Sequence, residues 1–312
     1  VDGHKSEVFD DGGGMAEAMD RRAFLAGATG MAFAGAVPAT AGGVEGQGPK
    51  KALLFDMLPG TLSLVDRFRL ARDVGFAAVQ APPISDLAEC AKMRSAAETA
   101  GIRIHSVIYG GWDPPLSHPD PARREQSYKN AVAALHSAAA MGADDILLVP
   151  AVVDAQTRYI DAYNRSHEQI RRLIPTAERL KVMLTVEEVW NNFLLSPLEY
   201  AHFIDSFHSP WVGSHFDVGN VVTFGWPEDW IRTLGSRIKK VHLKDYKGGP
   251  GLFGGNKGSF VNLLEGSIDW KAVRAAFAEV GFTGYMTTEL GGGDEAYLRD
   301  VSARVDKILA AG

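Results

Sequence analysis

Three carboxylates and one imidazole hold the chemistry this sequence offers: Glu187, Asp217, His242 and Glu289. Each stands at or near the end of a short stretch whose apolar residues recur with a period of two. On an extended chain, side chains alternate between faces. In Met183-Leu-Thr-Val-Glu-Glu188, Met183, Thr185 and Glu187 share one face, and Val182, Leu184, Val186 and Glu188 the other. The same parity groups Gly213, His215 and Asp217, then Lys240, His242 and Lys244, then Tyr285, Thr287 and Glu289. The opposite faces carry Val212, Phe216, Val241 and Leu243, which suit packing against helices. All four ligand-type side chains then point inward from strand ends. Such a cluster repels itself, and its carboxyls resist ionisation, unless a cation receives them. A divalent metal resolves this. Three hard oxygens and one nitrogen suit Mn²⁺ best and also serve Mg²⁺ or Co²⁺, while Zn²⁺ sites, though not excluded, favour more nitrogen or sulfur. Taken singly, a strand-end Asp or Glu is commonly a helix cap and an inward His a hydrogen-bonded core residue. The set of four carries the expectation.

The elements that must position these residues follow in strict alternation from Lys51 onward. Strand-like stretches fall at 52–57, 76–80, 102–108, 145–149, 183–188, 212–217, 238–244 and 284–289. Helix-like stretches fall at 63–74, 86–100, 123–141, 156–180, 198–206, 229–234, 269–280 and 295–310. Glycines stand where helices should stop, at Gly75, Gly101, Gly142 and Gly281. Eight strand–helix units in about 260 residues predict a (β/α)8 barrel, whose chemistry gathers at the C-terminal strand ends. An open doubly wound sheet fits less well. It needs a glycine-rich phosphate turn after the first strand, where this chain has Met57-Leu-Pro-Gly-Thr61.

The segments VEEVWNNFLLSP, HFDVGN, KKVHLKDYK, LLEGSIDW and MTTEL resemble the sugar phosphate isomerase/epimerase branch of the xylose-isomerase-like TIM barrel superfamily. The likeness runs from Lys51 to the C-terminus. It implies a Glu–Asp–His–Glu divalent site at Glu187, Asp217, His242 and Glu289, with Glu187 and Glu289 as the acid/base pair on a ketose or inosose. The chain departs from the ketose 3-epimerases of that superfamily at three positions. Asn220 stands where they have a histidine, Phe193 where they have a second glutamate, and Gly248 where they have an arginine. The shell that holds the substrate therefore differs. The extra His and Asp ligands of xylose isomerase proper and of the tri-zinc repair endonucleases are not found.

A cation held against adjacent carbonyl and hydroxyl oxygens lowers the cost of the enediolate formed when the proton between them leaves. Returning the proton to the opposite face gives epimerisation, and returning it to the neighbouring carbon gives isomerisation. With a 3-keto-glycoside or inosose carrying a leaving group, the same first step leads to β-elimination. A non-catalytic sugar-binding barrel is a further reading. Among supporting residues, Lys244 could hold a substrate oxygen or pair with a carboxylate. Trp112 and Trp190 could wall a sugar face or pack at the rim, and Asn220 is placed with the substrate-binding residues. His215 is expected in the barrel floor, and His118 and His167 in solvent.

The 312 residues are 46% hydrophobic and 22% charged, with net charge −6, which suits one large core and argues against a basic nucleic-acid-binding face. Cys90, the only cysteine, lies in a helical setting and is expected to be buried. Residues 1–41 resemble an N-terminal extension with a twin-arginine export signal: Arg21-Arg22, Phe24-Leu25, an apolar Ala/Gly run too short for a comfortable membrane span, and Ala39-Thr40-Ala41. Residues 42–50 read as a linker and 51–312 as the barrel. Export implies a periplasmic or secreted protein that meets small sugars or keto-sugars. Homo-oligomerisation is left open.

Overall fold

The computed structural model describes residues 48–248 and 258–311. The expected export segment, most of the linker and most of the glycine-rich loop after residue 247 lie outside the described residues.

Eight parallel strands close into a barrel: β1 (Lys50–Leu54), β2 (Ala78–Ala81), β3 (Arg103–Gly110), β4 (Asp145–Leu148), β5 (Met183–Glu187), β6 (Val212–Asp217), β7 (Ile238–Leu243) and β10 (Tyr285–Thr288). Around the circle the order is β1-β10-β7-β6-β5-β4-β3-β2. The helices between them are α1 (Leu64–Asp73), α2 (Leu87–Ala100), α3 (Pro121–Met141), α4 (Tyr159–Leu180), α5 (Pro197–Asp205), α6 (Pro227–Leu234), α7 (Trp270–Glu279) and α8 (Glu295–Ala310). Outward strand residues such as Leu184, Val186, Phe216, Val241 and Met286 are buried in the hydrophobic core, which drives strand and helix layers together. The fold is the (β/α)8 barrel the sequence predicts. No helix among the described residues is long and apolar enough to cross a membrane.

Local chemistry sets the helix limits. Ser63, Asp86, Asp120, Ser196, Asp269 and Asp294 each accept a backbone N–H in the first turn of the helix that follows. Gly101 (φ 71°) and Gly142 (φ 78°) close α2 and α3 in the left-handed conformation that favours glycine. α3 and α6 begin two residues earlier than the apolar periodicity indicates, because Pro121 and Pro227 occupy their first turns. β1 is shorter than the expected 52–57: a single 3-10 turn, Phe55–Met57, replaces its end. The Arg67 guanidinium accounts for the break, donating to the carbonyls of Phe55 and Leu58 at 3.0 and 3.1 Å and lying 3.7 Å from the Phe55 ring centroid.

Two features were not expected. Beyond β7, β8 (Asp245–Lys247) pairs with β9 (Ser259–Val261) as an antiparallel hairpin outside the barrel. The barrel interior is also polar. Lys240, almost fully buried, places its ammonium 2.6 Å from Asp144 and 3.5 Å from Asp145. Thr185 and Ser106 donate hydroxyls to Asp145 Oδ2 at 2.7 and 3.1 Å. Burial alone would push the Asp145 carboxyl up, but Lys240 and then His215 more than offset it and hold it below the usual range. His215 is buried in this layer as the sequence indicates, its ring 4.3 Å from that of His242. Cys90 is buried.

Candidate metal centre and active site

The strand register brings the four ligand-type residues to one place. Asp217 lies opposite His242, and Glu187 opposite His215, two residues before Asp217. His242 lies opposite Thr287, two residues before Glu289. This stagger is the tilt of strands in a closed barrel. One ligand atom from each of Glu187, Asp217, His242 and Glu289 lies within 4.8 Å of all the others. His242 Nδ1 is 3.1 Å from Glu187 Oε1, 2.6 Å from Glu289 Oε2 and 3.8 Å from Asp217 Oδ2. Glu187, Asp217 and His242 are buried, whereas the Glu289 side chain is 25% exposed and forms the open edge.

The donor set fits a divalent cation. Oxygen and nitrogen ligands at 2.0–2.2 Å from one ion stand at most about 4.4 Å apart, so the cluster needs only a small contraction. Backbone hydrogen bonds fix the orientation of the Asp217 carboxylate. Its Oδ1 accepts the N–H groups of Gly219 and Asn220 at 2.8 and 2.9 Å, which aims Oδ2 at the cluster. Asp217 Oδ2 and Glu289 Oε2 are buried without a hydrogen-bond partner. Lys244 Nζ lies at ion-pair distance from both, 3.0 and 2.9 Å, and balances their charge without satisfying their geometry.

Electrostatics separates the two glutamates. Burial raises the Glu187 carboxyl above its ordinary value, although His242 works against it. Burial also acts on Glu289, but His242 and Lys244 overcome it and hold that carboxyl low. His242 shows the reverse balance: burial favours the neutral ring, yet Glu289 and Glu187 hold its pKa at about 10. Lys244 is likewise held up, by Asp217 and Glu289 against burial. Glu188, the residue expected to face the helices, is buried with neither carboxyl oxygen hydrogen-bonded, and burial, with Asp217 and Glu187 nearby, pushes it well up.

The remaining sequence-predicted residues fall around this cluster. A 250 Å³ cavity over it is lined by Glu187, Glu289, Lys244, Asn220, Trp112, Trp190 and several aliphatic side chains. Trp112 and Trp190 are half exposed. Trp190 donates its indole N–H to the Asn220 carbonyl at 3.1 Å. Asn220 borders the cavity, but its side-chain amide is engaged with the Glu188 carbonyl at 3.3 Å, so much of its role is structural. His118 and His167 are not simply solvated. His118 is half-buried and its Nδ1 accepts the Asp120 backbone N–H at 3.0 Å, while His167 stacks on Phe207 at 4.6 Å and bonds Ser206 at 3.0 Å.

Two contributors escaped the sequence. Phe260, on β9, stacks on Trp190 at 5.1 Å and forms the cavity wall. Beyond it a second chamber of 570 Å³, bordered by Leu54, Asn262, Leu290 and Tyr297, shares Lys244, Phe260 and Glu289 with the first. The adjacent strand-forming residues Phe260 and Val261 were the available signal, masked by the glycine run before them. Gln80, at the inward end of β2, bonds His242 from below at 2.6 Å. Its inward parity was readable, but its partner was not.

A closed parallel barrel with an acidic, cation-sized cluster at the C-terminal mouth has its candidate site at the strand ends, where (β/α)8 barrels carry their functional residues. The chain belongs to the xylose isomerase-like TIM barrel family, whose model matches residues 68–306. Its fold is shared with 3-keto-D-glucoside 4-epimerase from E. coli in its apo form, with TM-score 0.70, 14% identity, and coverage of 83% of this chain and 99% of the other. It is also shared with D-psicose 3-epimerase with D-tagatose from Clostridium cellulolyticum H10 (TM-score 0.67, 18% identity, coverage 84% and 99%). A third is D-allulose 3-epimerase from Methylomonas sp. in complex with D-allulose (TM-score 0.69, 15% identity, coverage 84% and 97%). At these identities the likeness carries the fold. No curated protein matches the chain in sequence comparison.

Proposed function

We propose that this protein is a divalent-metal-dependent sugar isomerase or epimerase that moves a proton on the carbon beside a keto-sugar carbonyl. The observation that carries this reading is the convergence of Glu187 and Glu289, from β5 and the end of β10, on one cluster with Asp217 and His242 between them. A bound cation, Mn²⁺ by the donor set, would supply the positive charge that stabilises an enediolate. Glu187 and Glu289 approach from different sides of the cluster, so one can take the proton from one sugar face and the other can return a proton to the opposite face. Lys244 neutralises the charge that develops on a substrate oxygen, and Trp190 and Phe260 wall the sugar's C–H face and exclude water. The sugar epimerases that share the fold support the same reading.

A second outcome, β-elimination from a 3-keto-glycoside or inosose, is favoured by the chamber beyond Phe260, which gives a second ring or aglycone a place next to Glu289. Residues 1–41 are read as a twin-arginine signal that sends the enzyme to the periplasm or beyond, where free keto-sugars and glycosides are the available substrates.

Turnover in deuterated water tests the chemistry. Metal-replete protein incubated with a panel of keto-sugars and 3-keto-glycosides is expected to place deuterium on the carbon beside the carbonyl. Glu187→Gln and Glu289→Gln should each slow incorporation by roughly 10²- to 10⁴-fold, with metal content measured in parallel. Inverted, labelled product marks an epimerase, and loss of the β-substituent an eliminase. If no member of the panel takes up label, the barrel binds sugars without turning them over.

A further inference from the structure

The imidazole of His242 has two ring nitrogens, and only one faces the carboxylate cluster. What fixes that choice lies beneath the ring. Gln80 is fully buried, with its Oε1 2.6 Å from His242 Nε2 and its Nε2 2.9 Å from Ser106 Oγ. An amide looks nearly the same either way round, so its direction must come from its partners. Here the direction starts at Asp145. That carboxylate can only accept, and it is kept ionised by Lys240 in the barrel floor. It takes the Ser106 hydroxyl proton at 3.1 Å and the Thr185 proton at 2.7 Å. With its single proton committed, Ser106 Oγ can only accept toward Gln80, so Gln80 must turn its NH₂ group to it. The Gln80 carbonyl then faces His242, whose Nε2 must carry a hydrogen to donate. Nδ1 is left as the nitrogen that meets Glu187, Asp217 and Glu289.

We propose that Gln80 is a positioning residue: it sets the ring orientation of His242, keeping Nε2 as the donor to its carbonyl and Nδ1 toward the cluster, and the buried Asp145 carboxylate sets Gln80 through Ser106. The relay runs in series, Asp145 to Ser106 to Gln80 to His242, across β4, β3, β2 and β7. Three of these strands, β4, β3 and β2, supply no ligand themselves. Each step joins fully buried groups, so water does not compete for the bonds. The proposal rests on the reading of the cluster as a cation site, and partners of this kind, behind a ligating histidine, typically change metal affinity 10- to 100-fold when removed.

Two measurements test it. In ¹⁵N-histidine-labelled, chelated protein, His242 Nε2–H is expected as a hydrogen-bonded, exchange-protected ring resonance, and in Gln80→Leu it is expected to lose both the hydrogen-bonded shift and the protection. Calorimetric titration with Mn²⁺, and with Zn²⁺ as a diamagnetic probe for NMR, is expected to show affinity reduced on the order of 10- to 100-fold in Gln80→Leu. Ser106→Ala, which keeps the His242 contact but frees the amide to turn, should give a smaller loss and a second His242 ring population. The double variant Gln80→Leu/Ser106→Ala should bind no more weakly than Gln80→Leu alone, as a serial relay requires. A merely structural Gln80 would lower the melting temperature and leave cation affinity and the ring resonance unchanged, and additive losses would also overturn the proposal. If the unaltered protein bound neither cation, the cluster reading would fail by itself. The protected Nε2–H in the chelated protein would then still decide whether Gln80 orients the ring.

Discussion

Loading a cation into this cluster should release a proton, and the structure sets how strongly. In chelated protein, His242 carries both ring protons, its pKa held at about 10 by Glu289 and Glu187 against burial. Nδ1 can ligate only after losing its proton, so cation and proton compete for one nitrogen. Apparent affinity should rise about tenfold per pH unit below that value, or about 100-fold from pH 7 to pH 9, equal to roughly 2.7 kcal/mol. Lys244, held higher still, keeps its proton throughout. At the acid end Glu187, raised by burial, adds a second competing proton and steepens the slope. The stability of the chelated protein should move the other way. The folded value of His242 lies above its 6.5 reference, so its stabilisation is complete below pH 6.5 and is lost as pH rises toward about 10. Titration calorimetry of Mn²⁺ in buffers of different ionisation heat gives affinity and proton count together. About one proton released per cation near pH 8 is expected. A flat affinity between pH 7 and pH 9, with no proton released, would refute the assignment of His242 Nδ1 as a ligand.

Further outcomes follow from other parts of the molecule. Lys240→Met leaves Asp145 buried and unpaired, so unfolding free energy should fall by about 3–5 kcal/mol, read from chemical denaturation; a loss below about 1 kcal/mol would show the floor pair to be dispensable. Phe260→Ala removes the ring stacked on Trp190 and should raise KM on the order of fivefold with little change in kcat, in line with the worth of an aromatic pair. Mature protein should begin near Gly42, and Arg21→Lys with Arg22→Lys should retain it in the cytoplasm; N-terminal sequencing of a periplasmic extract checks both.

The barrel and the mouth of the site were legible because both rest on local periodicity. Alternation in the stretches ending at Glu187, Asp217, His242 and Glu289 fixed which side chains point inward, and strand-end position did the rest. Contacts made across the barrel were not legible. Gln80 and His242 meet 162 positions apart, and Lys240 reaches His105 across 135, so no window of sequence holds both partners. Lys244 illustrates an intermediate case. Its inward parity was plain, but only the structure shows it shared between Asp217 and Glu289. The β8–β9 hairpin was hidden for another reason: glycines punctuate chains by permitting turns without specifying which strands flank them. For Glu188, parity assigned a face but said nothing of the cost of burying a carboxylate there.

The seam of the barrel has a consequence for the order in which the molecule is assembled. β10 pairs with β1 at Lys50↔Tyr285 and with β7 at Thr287↔His242, and Lys51 clasps Ser302 at 2.8 Å from 251 positions away. Contacts between such distant segments carry the largest loop-closure cost and tend to form late. β5, β6 and β7 are sequential neighbours and can pair earlier, which assembles Glu187, Asp217 and His242 first. Glu289 arrives only when the final strand inserts between β7 and β1. On the proposed reading of the cluster as a cation site, a chain still open at the seam offers three of its residues and a closed one all four. Tight retention of a cation would then mark finished folding, and a slow final phase of refolding should coincide with the gain of cation affinity.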